Sequence, residues 1–119
     1  MYEGVFDEES RIFYATLSGS VSVDELAQSL RTALSQEYGD CLRVLWRTRE
    51  MQVDFALAEA TQLVEFVQKS GVPKGRMAFV SGEGFIKSVI ETVRASSDQF
   101  STEWQTFEKE AEALAWLND

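Results

Sequence analysis

Three short segments carry residue types that could bind a ligand: Ser18-Gly19-Ser20, Arg47-Thr48-Arg49 and Ser81-Gly82-Glu83-Gly84. In the third segment, two glycines before a predicted helix would expose backbone N–H groups to an anion, and the two arginines of the second segment would add countercharge. The third segment lacks the further glycine of a dinucleotide-binding fingerprint and the Lys-Ser/Thr pair of a P-loop, and its glutamate would repel phosphate. The simpler interpretation is a turn that uses glycine and serine for its geometry.

Catalytic machinery is difficult to assemble from this composition. The chain has no histidine, which excludes Ser-His-Asp and Cys-His nucleophiles and removes the commonest zinc ligand. The one cysteine, Cys41, sits where a turn enters an apolar strand and is interpreted as a small buried hydrophobe. Carboxylate pairs such as Glu50 with Asp54 have no spacing that brings them together. We therefore expect a protein that is not an enzyme and that needs no metal or cofactor.

The charge balance argues against two classes of partner. The chain of 119 residues has 20 acidic and 11 basic residues and a net charge of −9, which would repel a phosphate backbone. The nearest basic cluster is Arg43, Arg47 and Arg49, which is too small to offset that background. No apolar run reaches the roughly 20 residues of a membrane span, and the first residues lack the pattern of a secretory signal. We expect no nucleic-acid partner, no membrane span and a cytoplasmic location.

The elements that must position these residues are five strands and four helices. Strands are predicted at residues 2–7 and 12–18, which form a hairpin, and at 42–48, 76–81 and 104–107. The helices are predicted from Ser22, with Glu25 at capping-box spacing, to about Gly39; from Asp54 to Gly71; from Gly84 to about Ser96; and from Glu108 to the end of the chain. The carboxylates Glu108, Glu110 and Glu112 are interpreted as the first turn and solvated face of the last helix.

This order predicts a single α/β domain over residues 1–119. After an antiparallel hairpin, strands separated by helices are expected to be parallel neighbours in one mixed five-stranded sheet. The strands alternate in polarity, so one sheet face is expected to be only partly covered. Tyr2, Phe6 and Tyr14 are expected on the same side of the hairpin, where an apolar strip would favour a homodimer. The alternative is that the last helix and Trp104 cover this strip.

The element order resembles the SpoIIAA-like or STAS domain, and particularly the short bacterial proteins described as STAS/CRAL-TRIO-like. The residues that carry the resemblance are a strand ending in a glycine turn before the first helix, three apolar strand segments and the amphipathic last helix: Leu17-Ser18-Gly19-Ser20-Val21-Ser22, Leu45-Trp46, Ala78-Phe79-Val80, Phe107-Glu108 and Glu112-Ala113-Leu114-Ala115-Trp116-Leu117. The resemblance spans nearly the whole chain.

The resemblance implies two roles. One is regulatory protein binding, in which a serine at the start of the helix after the third strand is phosphorylated. Residues 48–54 contain no serine here, and their only hydroxyl belongs to Thr48. The other role is binding of an apolar or lipid ligand, which in the family rests on a larger chain with an enclosed pocket.

We therefore predict a non-enzymatic regulatory or protein-interaction module, with a protein partner or a second copy of the chain. The alternative is a small-molecule or lipid-binding protein that holds a small apolar or anionic ligand. Because ligands of open α/β sheets bind beyond the carboxyl ends of the strands, both interpretations use the same region. The candidate binding residues are Arg47, Thr48, Arg49, Met51, Asp54, Ser81, Gly82, Gly84 and Phe85.

Overall fold

The computed structural model describes residues 2–36, 38–39, 41–53, 59, 74–81 and 102–119. They contain seven strands, which are β1 (Tyr2–Asp7), β2 (Ile12–Leu17), β3 (Gly19–Val21), β4 (Leu42–Arg47), β5 (Met51–Val53), β6 (Gly75–Val80) and β7 (Thr102–Phe107). They also contain two helices, α1 (Val23–Leu34) and α2 (Glu110–Leu117). The chain is a mixed α/β fold, as the sequence predicts.

The described residues contain two helices, whereas the sequence predicts four. The first and last predicted helices correspond to α1 and α2. The predicted helices from Asp54 to Gly71 and from Gly84 to Ser96 lie outside the described residues, apart from Glu59.

The main sheet has five strands in the order β1-β2-β4-β6-β7. β1 and β2 pair antiparallel, and every later neighbour pairs parallel, as predicted for a hairpin followed by crossovers. The predicted bounds of these five strands agree with the observed ones to within two residues. The parallel strands place their carboxyl ends at one edge of the sheet and their amino ends at the opposite edge.

A second, two-stranded sheet was not predicted. β3 pairs parallel with β5, with Gly19 opposite Met51 and Val21 opposite Val53. These strands follow β2 and β4 almost directly, so the pairing extends the contact between those two chain segments past the end of the main sheet. Strands of three residues are too short to show an alternating pattern, which explains why the sequence did not reveal them.

Each face of the main sheet carries its own hydrophobic cluster. On one face, side chains of β2, β4, β6 and β7 pack with α1, and the cluster includes Phe13, Trp46, Phe79, Leu30 and Ala33. The Trp46 and Phe79 rings stack with centroids 5.8 Å apart. On the other face, the smaller cluster includes Leu45, Ala78, Val80, Ala113 and Leu117. α1 and α2 therefore cover opposite faces of the sheet.

The helix α1 begins as the sequence predicts and ends earlier. The Ser22 Oγ accepts a hydrogen bond of 3.2 Å from the Glu25 N–H, which satisfies one of the free donors of the first turn. The helix ends at Leu34, and Gly39 lies beyond it with a φ of +84°. Between them, the Tyr38 hydroxyl donates to the Ala33 carbonyl, and burial raises the pKa of Tyr38.

The predicted apolar strip of the hairpin is wrong. Tyr2 pairs with Leu17 and Phe6 with Phe13, so both β1 aromatics pack into the cluster on the α1 face. Tyr14 pairs with Val5 and lies on the opposite face, against the cluster on the α2 side. The reason is the hairpin register, because residues directly opposite each other in an antiparallel pair point to the same side.

Gly75 allows β4 and β6 to approach closely, which gives a first prediction. A Cβ built at Gly75 would lie 2.6 Å from the Leu42 backbone nitrogen and would also overlap the Leu42 carbonyl oxygen. We expect Gly75→Ala to lower the free energy of unfolding by about 2 kcal/mol or more, as overpacking against backbone does. The measurement is urea denaturation of the purified protein.

The matched variant is Gly39→Ala. A Cβ there meets nothing within 4 Å, and only the positive φ opposes it. We expect that substitution to cost about 1 kcal/mol. An equal or larger cost at Gly39 would contradict the close approach of β4 and β6.

Candidate functional site

A cleft of about 530 Å³ opens at the carboxyl ends of β2, β4 and β6, beside the start of α2. Its wall includes residues 16–18 and Val80, and six charged side chains of the described residues line it: Arg47, Arg49, Lys109, Glu50, Glu108 and Glu110. The position follows from topology, because three parallel strands end here and the connection from β7 turns back over the sheet as α2. Among the described residues of the wall, the charges are balanced, with three cations and three carboxylates.

Arg47 of β4 contacts side chains from two other elements around the cleft. Its Nε donates to Glu110 Oε1 at 2.6 Å and its Nη2 donates to Glu110 Oε2 at 3.2 Å, which is a two-pronged ion pair. The guanidinium lies 5.1 Å from the centroid of the Tyr14 ring, and Nη1 is 3.5 Å from Thr16 Oγ1. Arg47 therefore joins β2, β4 and the first turn of α2.

The ion pair fixes the charge state of both partners. The hydrogen bond from Arg47 lowers the pKa of Glu110, and the same hydrogen bond raises the pKa of Arg47. Glu110 is consequently an ionised carboxylate at neutral pH and is committed to the guanidinium. It is poorly suited to act as a general acid.

Hydrogen bonds join the chain segments that follow β4 and β6 to the ends of β6 and β7. The Thr48 N–H and hydroxyl both bond the Val80 carbonyl, at 3.0 Å and 3.2 Å, and the Ser81 N–H donates to the Phe107 carbonyl at 3.0 Å. On the rim, Arg49 Nη2 donates to the Glu108 carbonyl oxygen. These bonds continue the order β4-β6-β7 past the strand ends. The backbone that carries Arg47 and Arg49 is therefore held in place by its neighbours.

The predicted site residues divide into three groups. Arg47 and Arg49 line the cleft. Thr48, Met51 and Ser81 are buried, at 3%, 9% and 3% exposure, and Met51 packs into the hydrophobic cluster on the α1 face. The remaining predicted residues lie outside the described part of the chain: Asp54, Gly82, Gly84 and Phe85. The structure thus brings two of the predicted side chains to a shared surface.

The sequence did not reveal that the β7–α2 connection forms one wall of the cleft. Glu108, Lys109 and Glu110 all line it, although Glu110 was interpreted as part of a solvated helix face. The available signal was Arg47, a charged side chain in a mostly apolar strand, which requires a partner from another element such as the last helix. A carboxylate in the first turn of that helix was its natural partner.

Among the described residues, no group of three or more His, Cys, Asp or Glu side chains is placed to hold a metal ion. Neither of the two described helices is long and apolar enough to cross a membrane.

Comparisons with known proteins give one family and one informative fold neighbour. A family model described as SpoIIAA-like matches residues 12–118. The crystal structure of an uncharacterised DUF3478-family protein with a SpoIIAA-like fold, from Shewanella loihica PV-4, matches with a TM-score of 0.64 and 18% sequence identity. The alignment covers 98% of this chain and 92% of that one. No curated protein matches the sequence.

The Arg47–Glu110 pair gives a prediction about pH. Both side chains are about 40% exposed, so we expect Glu110→Gln to cost only about 0.5–1 kcal/mol at pH 7. Because the folded pKa of Glu110 is lowered, the stabilisation exists above the ordinary glutamate pKa and disappears as the pH falls through the folded value. Urea denaturation at pH 7 and pH 3 should show the wild-type advantage only at pH 7.

Glu112→Gln is the matched control for that experiment. Glu112 also lies in the first turn of α2, is exposed and has no ion pair among the described residues. The change in the free energy of unfolding on Glu112→Gln therefore reports only the interaction of a first-turn carboxylate with the helix dipole. A pH-dependent loss as large as that of Glu110→Gln would argue against a specific role for the ion pair.

Ser81 gives a prediction of opposite sign. Its Oγ is buried and has no hydrogen-bond partner among the described residues. A buried polar group without a partner is costly, so we expect Ser81→Ala to raise the free energy of unfolding by about 1 kcal/mol. Ser20→Ala, at an exposed position of β3, should change it by less than about 0.5 kcal/mol. Destabilisation by Ser81→Ala would indicate that the hydroxyl has a binding partner in solution.

Proposed function

The chain belongs to the SpoIIAA-like family, and on that premise we propose that it is a non-enzymatic protein-interaction module of the STAS type. Its partner surface is the cleft at the carboxyl ends of β2, β4 and β6. The observation that carries the proposal is the composition of the described part of the cleft wall, in which three cations and three carboxylates line an opening of about 530 Å³. The occupant is a charged, polar segment of another polypeptide.

The charge pattern favours a polypeptide over an apolar ligand. A lipid tail gains affinity by burying apolar surface, and six charged side chains around the opening would lose hydration without compensation. A segment carrying both signs of charge can pair with the same side chains. The lipid-binding alternative from the sequence is therefore less well supported than protein binding at this cleft.

A partner would find the cleft preorganised. Arg47 is held by Glu110 and Tyr14, and Arg49 by the Glu108 carbonyl, so both guanidinium groups are positioned before binding. Immobilising a long side chain on association costs about 0.5–1.5 kcal/mol, and preorganisation reduces that cost.

The absence of a catalytic role is part of the proposal. The chain has no histidine, and Glu110 is held ionised by its guanidinium partner. Thr16, on the cleft wall, has its Oγ1 3.5 Å from Arg47 Nη1, and a guanidinium cannot serve as its base. The cleft chemistry supports recognition and gives no support to proton transfer.

The proposed module does not use the phosphorylation switch that the resemblance implies for other members. Thr48 has the only hydroxyl in residues 48–54, and it is 3% exposed and donates to the Val80 carbonyl. A kinase would have to break that bond and expose the strand end. We propose that binding is governed by partner concentration or ionic strength instead.

The experiment compares two double charge reversals with the same change in net charge. Arg49→Glu/Lys109→Glu alters exposed residues of the cleft, whereas Arg43→Glu/Lys74→Glu alters the opposite end of the sheet. The tagged proteins are used to capture partners from native lysate, followed by amine cross-linking and mass spectrometry. We expect a stoichiometric protein that the cleft variant loses and the control variant retains.

Four further readouts make the result decisive. Cross-links from the partner should map to Lys109 rather than Lys74, and binding should weaken near 1 M salt, where the Debye length is about 3 Å. Equal loss in both double variants would contradict a cleft-specific interaction. Light scattering that shows a second copy of this chain as the occupant, or native mass spectrometry that shows a small molecule there, would also overturn the proposal.

A further inference from the structure

A second opening, of about 300 Å³, lies at the amino ends of β4, β6 and β7, at the opposite edge of the sheet from the cleft. We call it the amino-end cavity. Six side chains with polar or reactive groups line it: Arg43, Lys74, Arg76, Glu103, Asp119 and Cys41. Three of the 11 basic residues of the chain therefore converge on one small cavity, in a protein whose net charge is −9.

Strand register places two of these cations side by side. Arg43 of β4 is directly opposite Arg76 of β6, and Arg76 is directly opposite Glu103 of β7. Neighbouring strands lie about 4.8 Å apart, so like charges in directly opposed positions repel each other. Arg43, Arg76 and Glu103 thus form a row across three neighbouring strands. This row has two positive charges and one negative charge, so one positive charge is left uncompensated.

Arg76 is already committed to other groups. Its Nε donates to Glu103 Oε2 at 3.1 Å, its Nη1 donates to the Trp116 carbonyl, and its guanidinium lies 5.1 Å from the Trp116 ring centroid. Arg43 and Lys74 have no ion-pair or hydrogen-bond partner for their cationic groups among the described residues. Within the described part of the chain, the cavity thus has one cation that is paired and two that have no partner.

We propose that the amino-end cavity binds a small molecule through a phosphoryl dianion, with Arg43 and Lys74 as the binding residues. Two charges on the ligand match the two available cations. An arginine fork can bond two phosphoryl oxygens, while a lysine ammonium supplies a compact point charge. The anion relieves the repulsion between Arg43 and Arg76, which gives binding a source of free energy beyond the contacts themselves.

The cavity also limits the size and shape of the ligand. Its volume is at the lower end of the range of about 300–1,000 Å³ for small-molecule pockets, which favours a phosphorylated metabolite of a few carbons over a nucleotide. Glu103 is neutralised by Arg76, and the other acidic side chain that would repel an anion in the described lining is that of Asp119, whose main-chain oxygen is 3.4 Å from Arg76 Nη1. The phosphoryl group is therefore placed beside Arg43 and Lys74.

The only cysteine of the chain provides a reporter for this cavity. Cys41 is half-buried, rather than fully buried as the sequence suggested, and it lines the cavity with Arg43 and Lys74. The experiment measures the rate at which the neutral reagent iodoacetamide alkylates Cys41, with inorganic phosphate, glycerol phosphate or chloride present at matched ionic strength. At a phosphate concentration ten times its Kd, mass action predicts a rate about tenfold lower than in chloride.

Two double variants test which residues are responsible. Arg43→Gln/Lys74→Gln should abolish the protection by phosphate, while Arg49→Gln/Lys109→Gln, at the cleft, should retain it. Thermal unfolding of the same proteins shows that they are folded. The first variant should also have a higher midpoint than the wild type in phosphate-free buffer, because the repulsion with Arg76 is gone.

Equal protection by chloride and phosphate would overturn the proposal, because it would reflect screening alone. Protection that survives in Arg43→Gln/Lys74→Gln, or no protection of the wild type, would overturn it as well. Stronger protection by glycerol phosphate than by inorganic phosphate would support a phosphorylated metabolite as the ligand. Because Arg43→Gln/Lys74→Gln leaves the cleft residues unchanged, failure of phosphate binding here is distinguishable from failure of the proposed protein-binding function.

Discussion

The docking of α2 on the sheet is the interaction on which both openings depend. Ala113 and Leu117 bury the inner side of this eight-residue helix against Leu45, Ala78 and Val80. An arginine then holds each end: Arg47 binds Glu110 in the first turn, and Arg76 donates to the Trp116 carbonyl in the last turn. Because neighbouring strands β4 and β6 supply these two arginines, helix position and strand order are fixed together. A helix about 12 Å long covers only the middle of the face, which leaves the cleft at one end and the amino-end cavity at the other.

The sequence predicted the five main strands because each is long enough to show alternation and is bounded by turn residues. It also predicted Ser22 as a helix cap, since capping depends on a few neighbouring residues. The predicted sheet face of Tyr14 was wrong because it depends on the hairpin register, which relates residues on two different strands. Phe6 pairs with Phe13, and this register places Tyr14 on the other face. Local pattern therefore gave the elements, while pairing between elements had to come from the structure.

The candidate site shows the same division between local and long-range information. Arg47 and Arg49 could be predicted because topology alone brings residues after parallel strands to one edge. The partnership of Arg47 with Glu110 spans 63 residues and depends on the angle at which α2 returns over the sheet. Met51 looked like a cleft residue by its position after β4, but the β3–β5 pairing turns it into the core on the α1 face. In short segments such as β5, a shift of one residue in the strand pairing determines whether a side chain lies in the core or on the surface.

The positive charges that line the two openings determine what each opening can bind. Three basic residues line the cleft and three line the amino-end cavity, out of 11 in the whole chain. The surrounding net charge of −9 repels anions in general, and low-dielectric walls concentrate the field of the few cations that line an opening. At the cleft those cations are balanced by three carboxylates, which suits a partner carrying both signs of charge. At the amino-end cavity two of them are left without a carboxylate partner among the described residues, which suits a compact dianion. The same face of one sheet thus presents two electrostatically different surfaces, separated by a helix that is held in place by one arginine from each.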